Sequence, residues 1–524
     1  MNTKQLKSKI LDLAIHGKLV PQNPNDESAS KLLEKIREEK QKLIAEKKIK
    51  ADKNDSYIFV GDDKRHYEKF ADGTVKDIED EIPFDVPEGW AWARIASLVS
   101  INLGLTHTPK YVEKGIPFYS VKDISNGYLD ESEPKYVSQE EFNTFLEGAK
   151  PRKGDIIFCR VGTIGKPHIV SVDYPFGIFV SVGFFRKYSE RINSKYIMDW
   201  MNSPFFYEQV DYNVKGGVIK NLNTGWLSEF LIPIPSEKEQ QEIAFRIDEI
   251  FSKIALLEEN KTELQKTVTY AKAKILDLAI HGKLVPQDTN DEPASVLLEK
   301  LRAEKEEKIA KGELKRDKND SFIYKGSDNC YYQKFVDGSE TDISDEIPFE
   351  IPDNWNWCNL GEIYSHTTGK ALKKENNKGT LRKYITTSNL YWNSFDFTDV
   401  RTMYFTDDEL EKCTIKKGDL VLCNGGDVGR AAIWKLDEDI CYQNHISRLR
   451  PKLSGINNSF YLYVIQINKE KGNLSGKGVG ITSLSATDIL NLKIPLPPLA
   501  EQKRIVEKIE NAFAKLDQIA EQLA

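Results

Sequence analysis

At 524 residues, with 40% apolar and 30% charged side chains, the chain is long enough for three or four domains with real cores and has the make-up of a soluble globular protein. No run of about 18 apolar residues occurs, which excludes a helical membrane span, and a net charge of −7 argues against a protein that coats nucleic acid regardless of sequence. Six cysteines without a C-x-x-C pair suggest neither zinc nor disulfides and point to a reducing cytoplasm, and the polar first residues do not make a secretory signal.

The chain opens on a segment that it later repeats. Residues 7–92 reappear as 272–357 without a gap, and ILDLAIHGKLVPQ is identical at 10–22 and 275–287. Gly17 and Gly282 suit the end of a helix, and Pro21 and Pro286 prevent its continuation. The spacing predicts a charged helix over 29–50 and again over 294–315. Aromatic segments follow, 57–59 and 67–70 in the first copy, separated by glycine turns. Each copy then reaches IPFDVPEGWAW (82–92) or IPFEIPDNWNW (347–357), extended segments with tryptophans suited to anchor a core.

Two diverged blocks come next, about 95–230 and 360–492, both read as mixed α/β. KGDIIFCRVGTIGK (153–166) faces KGDLVLCNGGDVGR (417–430), so the blocks are expected to share one fold with different surfaces. Each block ends in a second repeat, IPIPSEKEQQEIAFRI from Ile232 and IPLPPLAEQKRIVEKI from Ile494. From there Ile243, Ile247, Ile250, Ile254, Leu257, Leu264, Val268, Ile275 and Leu278 form a heptad seam, broken at Lys261, over a helix of some 60–70 Å. The seam recurs from Ile505 to Leu523 and resumes in phase at Leu6, Ile10 and Leu13. The repeat is therefore circular. The terminal helices are expected to lie end to end and to rebuild a copy of the central helix, packed antiparallel to it. Such a pseudo-two-fold chain suits a two-fold target, either paired partner subunits or a DNA duplex.

LDLAIHGKLVPQ twice, IPxxxPxxWxW twice, GDxxxxRxGxxG in the first block and IPxPPLxEQxRIV at the end resemble, in the same order along essentially the whole chain, the specificity subunit of type I restriction–modification systems. The resemblance implies an α/β (α+β) protein with two globular target recognition domains separated by two long antiparallel coiled-coil helices. Its expected divisions are 1–94, 95–231, 232–359, 360–493 and 494–524. It further implies that each block reads half of a bipartite site in double-stranded DNA and that the helices set the spacer. Two methylation subunits would dock on the helices, and restriction subunits would join them. The chain itself would hold no cofactor; S-adenosylmethionine, ATP and Mg would belong to the partners.

Candidate contacts follow from the same likeness. Arg160, Thr163 and Lys166 lie in the glycine loop of block one, where Arg160 and Lys166 can reach phosphate or a guanine edge; the alternative is an ordinary hairpin with solvated charges. Block two departs from the motif: Asn424 replaces the arginine, with an amide edge suited to adenine, Asp427 replaces the threonine, and Arg430 keeps the last base. Gln443, Asn444 and His445 suit base edges, against a plain reading as satisfied core groups. Thr108, Lys110 and Lys122, with Lys370, Lys373, Lys374 and Arg382, are candidate backbone anchors. Glu239, Gln240, Glu501 and Gln502, matched between the copies, are expected to be exposed beside the seam and to dock the methylation subunits. His16 and His281 suit packing or capping. No N/D-P-P-Y/F motif, no G-x-x-x-x-G-K-S/T loop and no nuclease carboxylate cluster is present, so the chain is expected neither to methylate, to hydrolyse ATP nor to cut.

Overall fold

The first helix, Thr3–Ile15, begins at Asn2, whose side chain accepts the Gln5 amide while the Gln5 side chain returns to the Asn2 amide. It stops where Gly17 turns to φ +65°, and a β-carbon there would meet Pro87 Cγ at 2.4 Å. This computed structural model describes residues 2–213, 221–316, 320–372, 378–474 and 483–523. The chain divides into two units, Met1–Asn260 and Lys261–Ala524, each with the same internal plan.

In the first unit the opening helix lies along the start of the central helix, Glu237–Ile280. Ile10, Leu11, Ala14 and Ile15 share a core with Ile243, Ile247 and Ile254. Lys7 pairs with Glu258 at 3.2 Å while Gln22 reaches Glu239, so the two helices run antiparallel. In the second unit the last helix, Leu499–Gln522, takes this place. Ile505, Val506 and Ile509 pack with Leu276, Ala279 and Ile280, and again the numbering runs in opposite senses, from Glu501 with Gln287 to Asp517 with Lys272. The heptad seam is thus packed at its two ends, whereas Leu257 and Leu264 in its middle are exposed.

The charged helices, Ala29–Ala45 and Ala294–Ala310, are shorter than the composition suggests, because Lys47 (φ +58°) and Gly312 (φ +75°) turn left-handed just beyond them. Each is followed by a three-stranded antiparallel meander: Ser56–Val60, His66–Phe70 and Val75–Asp77, then Ser321–Lys325, Tyr331–Phe335 and Glu340–Asp342.

Each diverged block is fastened at its base by a two-stranded clip. Ala91–Arg94 pairs antiparallel with Leu231–Ile234, setting Trp92 opposite Pro233. Asn356–Asn359 pairs with Lys493–Leu496, setting Trp357 opposite Pro495. Between the clips the blocks share a four-stranded antiparallel sheet. Its order is Gly165–Ile169, Ile156–Cys159, Val182–Lys187, Val99–Leu103 in block one. In block two it is Ala431–Ile433, Leu420–Cys423, Ile446–Pro451, Tyr364–Thr368. A second sheet shares three strands, Gly177–Ile178, Ile116–Tyr119 and Lys135–Val137 against Ile440–Tyr442, Thr380–Ile385 and Arg401–Phe405. Its fourth strand changes edges: Tyr111–Val112 lies beside Lys135–Val137, but Thr414–Ile415 lies beside Ile440–Tyr442. Among the described residues no helix is long and apolar enough to cross a membrane.

Candidate nucleic-acid interface

The K-G-D motif that echoes between the blocks is a built corner. Gly154 and Gly418 take φ near +90°, and the following aspartate is buried against an arginine from a neighbouring strand, Asp155 with Arg186 at 2.7 Å and Asp419 with Arg450 at 2.6 Å. Two strands leave this corner, Ile156–Cys159 and Leu420–Cys423. They carry the chain up to one edge of each block, where four segments meet. Burial pushes the thiols of Cys159 and Cys423 up to about 11, so neither is a ready nucleophile.

The first segment at that edge follows Gly104 in block one and Gly369 in block two. A β-carbon on either would stand 2.3 Å from a backbone carbonyl oxygen, of Phe179 or of Tyr442. Only glycine admits this approach. The next residue then pairs in parallel with the second segment, Leu105 with Phe179 and Lys370 with Gln443. That second segment is a turn, 179–181 or 443–445, with Val180 N donating to Leu105 O at 2.9 Å and Asn444 N donating to Lys370 O at 3.0 Å. The third is the glycine loop, where Arg160 N donates to Ser181 O at 2.9 Å and Asn424 N to His445 O at 3.0 Å. The fourth arrives from beyond the block's helices: Leu222 N donates to Arg160 O and Leu484 N to Asn424 O.

The expected contact residues divide on this frame. Thr108, Lys110, Lys122, Thr163 and Lys166 are exposed. Thr163 sits on the loop itself and Lys166 at the start of the strand Gly165–Ile169 that follows it, where Lys166 takes φ +53° beside Gly165. In block two His445 is exposed and Gln443 and Asn444 are half-buried. They lie in a turn, not on a strand with alternating faces. The His445 ring lies so close over Gly425 that a β-carbon there would be 2.7 Å from Nδ1. Arg382 is exposed on Thr380–Ile385, in the second sheet. Lys373 and Lys374 lie outside the described residues.

Four expected contacts are corrected, because their polar groups are committed inside the block. Arg160 is buried, and its guanidinium donates to Leu222 O and Val180 O at 3.0 Å and to Asn221 Oδ1 at 3.3 Å. Burial among neutral groups pulls its pKa down. Asn424 is buried and donates its amide to Ser447 Oγ at 2.9 Å and Asn444 O at 3.2 Å, leaving no amide edge for adenine. Lys370 is buried on Glu409 at 2.6 Å and Tyr404 O at 2.8 Å, and holds the Glu409 carboxyl below its ordinary range. Arg430 donates to Thr387 O at 2.5 Å and lies 3.5 Å from Asp427.

The four matched scaffold residues are corrected as well. Glu239, Gln240, Glu501 and Gln502 are buried, at 7%, 0%, 0% and 0% exposure, not exposed beside the seam. The Glu239 carboxylate accepts from Trp90 Nε1 at 2.9 Å and Gln22 Nε2 at 3.1 Å. Glu501 accepts from Trp355 Nε1 at 2.9 Å and Gln287 Nε2 at 2.7 Å. Burial raises both carboxyls and these donors hold them back. Gln240 and Gln502 accept the amides of Asn193 and Asn457, the caps of the block helices, each at 2.9 Å. His16 and His281 each bond the carbonyl four residues earlier and lie on Phe84 and Phe349.

Sequence reasoning passed over Gly104 and Gly369, although a glycine at matched places in otherwise diverged blocks was the available signal. It also passed over Val180 and Asn444 as the centres of the braced turns.

A family model described as "Type I restriction modification DNA specificity domain" matches residues 87–266 and 352–524. The EcoAI specificity subunit of Escherichia coli is 26% identical, over 97% of this chain and 88% of its own length. The EcoEI specificity subunit of the same organism is 25% identical, over 99% and 90%. The HsdS subunit from Thermoanaerobacter tengcongensis shares the fold with a TM-score of 0.53 at 16% identity, covering 84% of this chain and 93% of that one.

Proposed function

Since the chain belongs to the type I restriction modification DNA specificity family, we propose that it is the sequence-reading subunit of such a complex and carries out no chemistry itself. Each block reads one half of a bipartite site in double-stranded DNA, and the helical scaffold sets the spacer. One observation carries this reading above the others. The two edges are braced by the same backbone bonds, yet present Phe179-Val180-Ser181 in one block and Gln443-Asn444-His445 in the other. A common frame with different side chains is what two half-sites of different sequence require. Thr108, Lys110, Lys122, Thr163 and Lys166 serve the first half and Arg382, Gln443, Asn444 and His445 the second.

Two methylation subunits take their places one per unit, with restriction subunits joining them, and S-adenosylmethionine, ATP and Mg are theirs. With Glu239 and Glu501 buried, the surface that supports this docking is the cleft between each charged helix and its meander. Its volume is about 780 Å³ in the first unit and 670 Å³ in the second. Its lining is matched, Leu33 with Leu298 and Phe70 with Phe335, and Arg37 lies over Tyr57 as Arg302 lies over Phe322, at 4.0 and 4.2 Å. Two like surfaces suit two copies of one partner.

The test is to sequence the methylated adenines of a host expressing this chain with its methylation partner. The expected result is one two-part motif with an unread spacer of fixed length. A continuous motif, or methylation without sequence preference, would overturn the reading.

A further inference from the structure

The side chains at positions 160 and 424 differ in size and charge, yet each reaches the same carbonyl. Arg160 Nη1 donates to Val180 O at 3.0 Å, and Asn424 Nδ2 donates to Asn444 O at 3.2 Å. Val180 and Asn444 are the middle residues of the braced turns. A carbonyl only accepts, so the nitrogen end of the Asn424 amide must be the end that faces Asn444. The same two residues tie the turn to the segment from beyond the block's helices. Arg160 does so through Nε to Leu222 O and Nη2 to Asn221 Oδ1, and Asn424 through its own carbonyl to Leu484 N. A further link fixes Asn424 from behind: its amide meets Ser447 Oγ, which lies 2.8 Å from His366 Nε2.

We infer that Arg160 and Asn424 are positioning residues for sequence reading: each holds the turn of its own block in one geometry, and neither touches DNA. The inference rests on the proposed function. Base edges are told apart by paired hydrogen bonds of fixed direction, so the backbone that carries the reading side chains must be held to within about half an ångström. A three-residue turn has too few bonds of its own for that. Its middle amide is already used, Val180 N on Leu105 O and Asn444 N on Lys370 O. The middle carbonyl is the remaining handle, and a buried donor from the neighbouring strand holds it. Arg160 is suited to the task because its fork meets three acceptors at once. Among the described residues no carboxylate pairs with it, so its charge is met by neutral oxygens alone.

The rival role is a phosphate contact, since a cation sits just behind the edge. The two roles separate in measurement. A phosphate contact weakens binding to all sequences alike and contributes about one to the slope of log K against log salt. A positioning residue changes discrimination and leaves the slope alone.

The complex of this chain with its methylation partner is titrated with a duplex carrying the site read from host methylation, and with duplexes in which one half or the other is scrambled. Arg160→Ala and Arg160→Lys are both expected to lower discrimination at one half roughly tenfold or more, with the other half and the salt slope unchanged. Asn424→Ala is expected to do the same at the opposite half only. Asn424→Asp keeps the volume but turns a donor into an acceptor facing Asn444 O, and is expected to match the alanine variant; it controls for a cavity that spoils folding. Full discrimination in Arg160→Lys together with a smaller salt slope in Arg160→Ala would make Arg160 a phosphate contact and overturn the inference. Equal loss at both halves, or unchanged discrimination, would overturn it too. If the unaltered complex fails to discriminate, the functional reading itself falls, which is a different result from any of these.

Discussion

Set side by side, the two units agree in their scaffolds almost bond for bond and in their blocks only by backbone path. Trp90 to Glu239 and Trp355 to Glu501 are both 2.9 Å, and Asn193 to Gln240 and Asn457 to Gln502 are both 2.9 Å. In the blocks a leucine stands opposite a buried lysine, Leu105 against Lys370, and an arginine opposite an asparagine, Arg160 against Asn424. The bond each backbone makes is unchanged. Side chains in the scaffold bond to side chains far away in the sequence, so a change in one needs a matching change in the other. Backbone bonds at the reading edge set no such condition, and side chains there are free to differ. The clips mark the border between these regimes.

Exchange of a whole block tests that border and has the largest expected effect. Replacing residues 95–230 with 360–492 joins the same two-stranded clip at both ends. The half-site read by block one is expected to vanish completely, and the motif in host methylation to become two copies of the block-two half. A folded complex that still methylates the original first half would show that recognition lies in the scaffold.

The strength of the comparison also explains what was readable in the sequence. Helix ends were readable because Gly17 and Gly282 stand before Pro21 and Pro286, and the extended tryptophan segments because of their prolines; their pairing with Leu231–Ile234 and Lys493–Leu496 was not, since the two strands of each clip lie more than a hundred residues apart. The packed seam followed from the heptad spacing of Ile243, Ile247 and Ile254, and its antiparallel sense from the circular order of the repeat. The burial of Glu239 and Glu501 was not readable: a carboxylate on the first turn of a helix looks solvated until Trp90 and Trp355, more than a hundred residues away, are placed against it. Arg160 was misread for the same reason, since its partners Val180, Asn221 and Leu222 come from other segments. The change of edge between Tyr111–Val112 and Thr414–Ile415 has no sequence signal, because two-residue strands carry no period.

A sharper version of the comparison removes one bond from each scaffold. Trp90→Phe and Trp355→Phe each delete an indole N–H while keeping an aromatic ring, and each leaves a buried carboxylate short of a donor. The expected cost is about 1–3 kcal/mol in either unit. Hydrogen exchange, followed separately in Ala91–Arg94 and Asn356–Asn359, reads the two units independently. Equal loss of protection is the expected outcome. A loss in only one unit would show that the matched distances hide unequal energetics.

The smallest expected effect lies where the units differ at the joint between block and helix. In the first unit Lys195 bridges Asp199 at 2.6 Å and Asp248 at 2.9 Å. In the second the place of Asp199 is taken by Tyr463, which packs on Phe513. Burial raises the Asp199 carboxyl from 3.8 to about 7, against the pull of Lys195 and with the push of Asp248. The folded chain therefore keeps this proton at a pH where the unfolded chain has released it. The stabilisation from the raised carboxyl is complete below about pH 4, declines as pH rises, and is gone above the folded value near 7. Over roughly pH 6 to 7.5 the first unit is expected to lose about 1 kcal/mol relative to the second. Asp199→Asn keeps the shape and removes the titration, so the difference between the units should no longer vary with pH. Hydrogen exchange at Ser194–Met201 and Asn458–Glu470 across that range decides it. A difference between the units that stays flat over this range would mean that the Lys195 pair outweighs burial and the carboxyl is lowered, since a lowered carboxyl is ionised in both states well below pH 6.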